Sequence, residues 1–336
     1  MIRILPLLGM AGFSLTTGAS AQTVDHIRQA GYLACGTVAA VDDWNGSDQH
    51  GNLSALGGEI CRAVAIAILG EGAKLQMSVV PAEPEALAAL KESGIDLVVG
   101  ATPSAEASIR YGVGFGLPVF YDTQRFLVYE ASGLHRASDL HDRLLCAMNN
   151  TPAEERLRDE MTERGIPYGL QAHSEQGEMD AAVAVARCAA GSALESRLAA
   201  SRADFPANAP PFVFLPERFG LEPVAPAYRY GDQRFGLIVD YTISALIEAE
   251  ALGITRENVV AAASGREDLR ARRLLGADRS VGQALGLAPD WAVKVVAAVG
   301  NYGQVFDQSV GKPYRLERGV NALWTKGGLM RPMPMQ

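Results

Sequence analysis

The sequence predicts an α/β protein of two lobes, in which the chain builds one lobe, crosses to a second and returns to the first. Strand-like and helix-like segments alternate between residues 32 and 101, which is typical of a largely parallel sheet flanked by helices. The alternation begins again after "FLVYE" at 126–130. The 336 residues also exceed the roughly 100–200 that one hydrophobic core usually organises. We therefore expect two mainly parallel sheets with flanking helices, and a helical C-terminal extension on the first lobe.

Residues 1–21 have the pattern of an export signal. Arg3 is followed by the apolar run "ILPLLGMAGFSL", which is too short to span a bilayer, and "ASA" at 19–21 provides a cleavage site. The alternative, a buried N-terminal helix, is disfavoured because the run has no cap and ends in small residues. We expect a soluble, exported protein whose mature chain begins at Gln22.

The first lobe is predicted to begin over 22–128. A short helix and strand, a helix, a strand, a helix and a final strand follow in the segments "HIRQAGYLACGTVAA", "GGEICRAVAIAILG", "LQMSVVPA", "EPEALAALKESG" and "IDLVVGA". Gly70 stands where a glycine commonly ends a helix. The last strand is apolar throughout, which suits burial on both faces of a parallel sheet.

The second lobe is predicted over 129–224, and 225–336 return to the first lobe. Its strands and helices are predicted in "ASDLHDRLLCAM", "TPAEERLRDEMTERG", "EMDAAVAVARC" and "PFVFLPE". The chain should cross between lobes near Val128–Glu130 and again near Pro223–Ala227. After the second crossing, helices are predicted in "DYTISALIEAEALG", "REDLRARRLLG" and "DWAVKVVAAVG".

Charge and cysteine content narrow the classes of partner. A net charge of −8 disfavours nucleic acid or an anionic membrane as the main partner. An even count of cysteines in an exported chain predicts disulfides, for which three connectivities exist. Pairing inside each predicted lobe, Cys35–Cys61 and Cys146–Cys188, is the economical choice, and each bridge should stabilise its lobe by about 3–4 kcal/mol. Since C-x-x-C spacing is absent, we expect no metal.

The cleft between the lobes is the expected binding site, because ligands of open α/β sheets lie beyond the carboxyl ends of the strands. Arg110, in "GATPSAEASIRYG", is a candidate clamp for a ligand carboxylate, since arginine offers a planar fork of donors. The alternative is a solvent-facing arginine on a surface turn. Arg125 is a second candidate cation. Arg110→Ala should weaken binding by about thirtyfold or more, and Arg125→Ala by less.

Two further segments offer binding groups. In "AMNNTPAEE" a strand ends and a helix begins, so the amides at Asn150 and Thr151 form an anion site; simple N-capping is the alternative. In "VDDWNGSDQHGN" the acidic Asp43 lies beside Trp44, whose indole attracts cations. Solvated turn residues are the alternative there.

Segments along the whole chain resemble one protein family. They are "GYLACGT", "GNLSALGGEICRAVAIAILG", "YDTQRFLV", "EALGITRENV", "DWAVKVVAAVGNYGQVF" and "RGVNALWTKGGL". Through them the chain resembles periplasmic solute-binding proteins of polar amino acid ABC importers (family 3), in particular the general L-amino-acid-binding branch, which also carries the four cysteines. The resemblance implies the type II periplasmic-binding-protein fold, hinge closure on an amino acid, a periplasmic location, a monomer and delivery to a membrane permease.

The resemblance also implies roles for individual residues. A Thr-rich first-lobe segment normally ends in an arginine that grips the ligand α-carboxylate, and here that segment holds Thr102 and, a few positions late, Arg110. A second-lobe acid normally holds the α-ammonium group, and here Leu194 stands at or beside that position, with Glu195 next to it. Trp44 falls at an aromatic position that packs on the ligand side chain. Together with the candidates from the residues themselves, the expected ligand-binding set is Asp43, Trp44, Thr102, Arg110, Asn150, Thr151 and Glu195.

The function expected from these observations is solute capture for an ABC importer, with an amino acid or related small polar compound as ligand. One alternative is an exported accessory or sensor protein on the same scaffold that serves no permease. Another is a dehydratase-like enzyme, since a few relatives of this fold are dehydratases. The sequence has no Ser-His-Asp or Cys-His spacing, phosphate loop or cofactor fingerprint, so we expect neither catalysis nor a cofactor.

Overall fold

The computed structural model describes residues 22–38, 56–80, 83–265, 268–277 and 281–335. The predicted signal peptide and the segment with Asp43 and Trp44 lie outside these residues. Within the described ranges, every helix is too short or too polar to cross a membrane. The described strands are β1 (Tyr32–Val38), β2 (Lys74–Val80), β3 (Leu97–Ala101), β4 (Val113–Phe115), β5 (Phe120–Tyr129), β6 (Arg143–Met148), β7 (Tyr168–His173), β8 (Ala190–Leu194), β9 (Phe212–Phe214) and β10 (Phe219–Arg229).

The helices cover the faces of the sheets and build the C-terminal extension. Between residues 22 and 204 the helices are α1 (Gln22–Ala30), α2 (Leu56–Leu69), α3 (Glu83–Lys91), α4 (Ala105–Tyr111), α5 (Pro152–Glu163), α6 (Gln176–Ala184) and α7 (Glu195–Asp204). The return segment adds α8 (Gln233–Ala251), α9 (Val259–Ala263), α10 (Leu269–Leu274), α11 (Val281–Leu285), α12 (Trp291–Val299), α13 (Tyr302–Phe306) and α14 (Lys312–Tyr314). Short 3₁₀ turns lie at Glu130–Ser132, Ala137–Leu140, Gly319–Asn321 and Trp324–Lys326, and a π-helical turn at Asp307–Gly311.

The first sheet is parallel at its centre. β1 pairs in parallel with β2 and β3, and β10 adds antiparallel pairing to β3 and β4. The apolar strand β3 is buried over its whole length, as predicted. β3 packs against the buried helix α2, and the return helices α8 and α12 pack against α2 in the same large hydrophobic core. The C-terminal segment therefore completes the first lobe.

The second sheet has the order β10-β5-β8-β6-β7, with β6 parallel to β7 and β8. β7 and β8 were not predicted from the sequence. The β8 segment "AGSAL" has few of the branched and aromatic residues that favour strands. In β8 the small residues make room for a covering helix: a Cβ at Gly191 would lie 2.8 Å from Cγ2 of Val183 in α6. Close helix packing, and not strand propensity, accounts for this strand.

Strand β10 and the segment before β5 connect the two lobes. β10 pairs with β5 from Phe219 to Val224 and with β3 from Ala225 onward, with a register shift between Ala225 and Pro226. β5 pairs with β8, β9 and β10 inside the second sheet, so the predicted boundary after residue 128 falls within this strand. The run "FYDTQRFLVY" is continuously extended, and we place the first change of sheet before Phe120.

Both predicted disulfides are confirmed. Cys35 in β1 is bonded to Cys61 in α2, and Cys146 in β6 is bonded to Cys188 just before β8. All four cysteines are buried. Each bridge joins a strand to a second segment of the same lobe, so the lobes are cross-linked separately.

Candidate functional site

Polar and charged side chains from both lobes meet between the sheets, beside the carboxyl ends of β3 and β6. We call these residues the cleft network; they are Glu83, Thr102, Gln124, Arg156 and Glu222. Glu83 begins α3 and Thr102 follows β3, whereas Arg156 lies in the second turn of α5. Gln124 lies on strand β5, and Glu222 lies on strand β10.

Hydrogen bonds join the cleft network into one chain. The Thr102 N–H donates to Glu83 Oε2 at 3.1 Å, and the Thr102 hydroxyl donates to Glu222 Oε1 at 3.3 Å. Arg156 Nη2 donates to Glu222 Oε2 at 3.1 Å, and Arg156 Nε donates to Gln124 Oε1 at 3.1 Å. One carboxylate, that of Glu222, therefore connects the first lobe to a helix of the second.

The environment of Glu83 raises the pKa of its carboxyl above the ordinary value. Partial burial raises the pKa of this carboxyl, and the negative charge of Glu222 raises it further, although the Thr102 N–H opposes the shift. Two carboxyl groups bonded to the same threonine repel each other when both are ionised. A cation placed between them would relieve that repulsion.

The start of α5 holds Arg156 in place. Thr151 is the N-cap and accepts from the Glu154 N–H at 3.2 Å, and Pro152 follows at the first helical position. The Gln124 amide donates to the Ala153 carbonyl at 2.7 Å, which ties the helix to β5. Gly220, at φ +61°, lies directly beneath the arginine: a Cβ there would be 2.8 Å from Arg156 Cδ.

Among the sequence-predicted binding residues, Thr102 lies in the cleft network. Asn150 and Thr151 lie at the neighbouring N-terminus of α5, where their contacts are those of a capped helix. The Asn150 N–H donates to Glu154 Oε2 at 2.7 Å, so a carboxylate of the helix itself occupies this amide. A ligand role for Asn150 and Thr151 stays a prediction, as does that of Asp43 and Trp44, which lie outside the described residues.

Arg110 lies on the surface. The position of Arg110 does not support its predicted role as a carboxylate clamp, because residues 105–111 form α4, with Ser104 as N-cap and Gly112 (φ 64°) as C-cap. The Arg110 side chain is 67% exposed and pairs with Glu106, itself 83% exposed, at 3.7 Å. This geometry is that of the alternative interpretation, a solvated surface arginine.

Glu195 and Arg125 lie in a second, buried cluster beside strand β5. We call it the hinge network; its members are Asp122, Thr123, Arg125, Glu195, Ser196 and Arg218. Arg125 Nη1 donates to Glu195 Oε1 at 2.5 Å, and Arg218 donates to both Glu195 oxygens at 3.3 Å. The Thr123 hydroxyl adds a donor at 3.1 Å. Glu195, which was predicted to hold a ligand ammonium group, is thus occupied by two arginines of its own chain.

Asp122 was not singled out in the sequence analysis, although it is the most strongly perturbed acid of the hinge network. It accepts from the Ser196 hydroxyl, from the Ser196 N–H at 3.2 Å and from the Thr123 N–H at 2.9 Å. Burial, with a smaller contribution from the charge of Glu195, nevertheless raises its pKa to about 7. The signal available in the sequence was an acidic residue, Asp122, inside the strand-like segment "FYDTQRFLVY".

Asp122 makes the stability of the folded chain depend on pH. Its pKa is about 7 in the folded chain and near the ordinary 3.8 when unfolded, so its contribution is fully present below about pH 4 and lost as pH rises through 7. Between pH 5 and pH 7 we expect this group to lower the free energy of unfolding by about 2 kcal/mol. Urea unfolding of the wild type and of Asp122→Asn at both pH values measures the difference. An Asp122→Asn protein with an unchanged pH dependence would contradict the assignment.

In the part of the chain that the structure describes, no group of three or more His, Cys, Asp or Glu side chains is arranged to hold a metal ion.

Comparison with known proteins gave matches over nearly the whole chain, although no family model matches. The glutamate/glutamine/aspartate/asparagine-binding protein BztA of Rhodobacter capsulatus is 32% identical over 321 residues, covering 95% of this chain and 94% of that protein. The general L-amino acid-binding periplasmic protein AapJ of Rhizobium johnstonii is 32% identical over 326 residues, with the same coverage. A solved ABC transporter periplasmic binding protein from Brucella ovis with glutathione bound has 31% identity and a TM-score of 0.80, and the match covers 94% of this chain and 100% of that one.

Proposed function

Because this chain belongs to the family of amino-acid-binding periplasmic proteins of ABC transporters, we propose that it captures an amino acid or related small polar solute between its lobes for a membrane permease. The observation that carries the proposal is the match to two amino-acid-binding proteins over 95% of the chain, so that both lobes and the cleft are included. The family resemblance and the α/β fold class predicted from the sequence are confirmed.

The relatives suggest the chemistry of the solute. The compounds named for them are four polar amino acids, L-amino acids in general, and glutathione. Each of these compounds carries an ammonium group and a carboxylate on one carbon, glutathione at its γ-glutamyl end. We propose that this head group is the part that the cleft recognises.

Capture would work by closure of the lobes around the solute. In the cleft network, Glu83 and Thr102 belong to the first lobe and Arg156 to the second. A solute that contacts both sides stabilises the closed arrangement. The stabilisation equals the difference between its binding free energies for the closed and the open arrangement. β10 and the segment before β5, which connect the sheets, are the segments about which such a closure would turn.

We further propose that the protein is exported to the periplasm by residues 1–21, acts as a monomer and is a binding protein without catalytic activity. The relatives are named as binding proteins, and AapJ as a periplasmic one. A receptor that serves a sensor instead of a permease is the competing proposal. It differs in one outcome: loss of the gene would leave amino-acid uptake unchanged.

The test of the proposed function is calorimetric titration of the purified protein with the L-amino acids and glutathione. We expect saturable binding of at least one of them, and loss of high-affinity uptake of that compound when the gene is deleted. Absence of binding across the whole panel would contradict solute capture, and unchanged uptake would favour the sensor. Prephenate, incubated with the protein, should remain unconverted.

A further inference from the structure

We propose that Arg156 binds the carboxylate of the solute while Glu83 and Glu222 bind its ammonium group. The assignment rests on the proposed function and goes beyond it by stating which lobe holds which end of the head group. It is the reverse of the arrangement implied by the family resemblance, in which a first-lobe arginine grips the carboxylate and a second-lobe acid grips the ammonium group.

The arginines near the two lobes differ in position. Arg110 is exposed on α4, and Arg125 and Arg218 are both bonded to Glu195 in the hinge network. Arg156 instead reaches across β5 to β10, at the junction of the two lobes. Its side chain is 30% exposed and is therefore partly accessible to solvent.

Neighbouring residues fix the orientation of the Arg156 guanidinium. Gln124 holds Nε, Glu222 holds Nη2, and Gly220 lies against Cδ. The plane of the fork is therefore set before a solute arrives, and Nη1 makes no hydrogen bond to a described residue. A planar fork with a free edge is suited to a carboxylate.

Two carboxylates lie close together on one side of the cleft. Glu83 and Glu222 are bonded to the N–H and the hydroxyl of one residue, Thr102. Arg156 offsets the charge of Glu222, and in the described part of the chain it forms no ion pair with Glu83. An ammonium group beside Thr102 would offset the second charge, and the pKa of Glu83, raised by burial and by Glu222, would fall on binding.

The experiment compares each L-amino acid of the panel with its α-carboxamide and its N-acetyl derivative. The wild type should reject both derivatives, because each lacks one charge. Arg156→Met should weaken binding of the free amino acid by about 30-fold or more and should no longer distinguish it from the carboxamide. Glu83→Gln and Glu222→Gln should each reduce the preference over the N-acetyl derivative.

Two further variants control the experiment. Arg158→Met removes an exposed arginine of the same helix, paired with Glu154, and should bind like the wild type. Gly220→Ala keeps every charge but displaces Arg156, and should weaken binding in the same direction even if Arg156→Met folds poorly. An Arg156→Met protein that keeps the wild-type preference for the free acid over its carboxamide would overturn the assignment. A wild type that binds no panel compound would instead contradict the proposed function itself.

Discussion

Replacing Glu195 with alanine is expected to lower the free energy of unfolding by about 3–5 kcal/mol, the usual cost of breaking a buried ion pair. Glu195 is 8% exposed and accepts hydrogen bonds from Arg125, Arg218 and Thr123. Without it, two guanidinium groups would face each other beside the buried Asp122. Burial already lowers the pKa of Arg125, and Glu195 is the main charge that opposes this shift. Urea unfolding at neutral pH measures the loss.

The matched control is Glu106→Ala on α4. Glu106 also pairs with an arginine, but both side chains are mostly exposed, and such surface pairs contribute well under about 1 kcal/mol. If Glu195 instead served the ligand, as the sequence analysis predicted, its removal would abolish binding and leave stability nearly unchanged. A loss of stability no larger than that of Glu106→Ala would contradict the structural role.

Removing the Cys146–Cys188 disulfide should lower the free energy of unfolding by about 4 kcal/mol. The bridge spans 42 residues of sequence, and closing a loop of that length restricts the unfolded chain by about this amount. The Cys35–Cys61 bridge spans 26 residues and should contribute about 3.5 kcal/mol. The measurement is urea unfolding of the two double alanine variants.

The comparison protein for the disulfide prediction is reduced wild type. It lacks both covalent links but keeps the buried cysteine side chains, so it should lose stability in both lobes while each double variant loses it mainly in one. Far-ultraviolet circular dichroism should remain that of an α/β protein in every case. A Cys146→Ala, Cys188→Ala protein as stable as the oxidised wild type would show that the bridge does not restrict the unfolded chain.

The segment at 100–112 shows how much of the local structure could be predicted. Ser104 and Gly112 are a strong N-cap and a strong C-cap residue, and together they bound the helix that the structure contains. The helix was not predicted, although these two caps signal it. The exposure of Arg110 agrees with the alternative interpretation, a solvent-facing arginine.

The partners of the charged residues could not be predicted in the same way. Arg125 and Glu195 are 70 residues apart, and Arg156 and Glu222 are 66 apart. Each pair depends on the register of β5 against β8 or β10, and a shift of one residue would turn the side chains to the opposite face of the sheet. β8, which sets one of these registers, was itself not predicted.

The sequence by itself determined the alternation of strands and helices, the return of the chain to the first lobe in a helical segment, and the economical pairing of four cysteines. These features depend on neighbours along the chain or on the order of segments, where hydrophobic periodicity and caps act directly. Only the tertiary structure decided that Glu195 lies in the interior and that Arg156 and Glu222 meet between the lobes. The energy of a charge depends on its burial and its partners in space, and both are set by strand register and lobe packing.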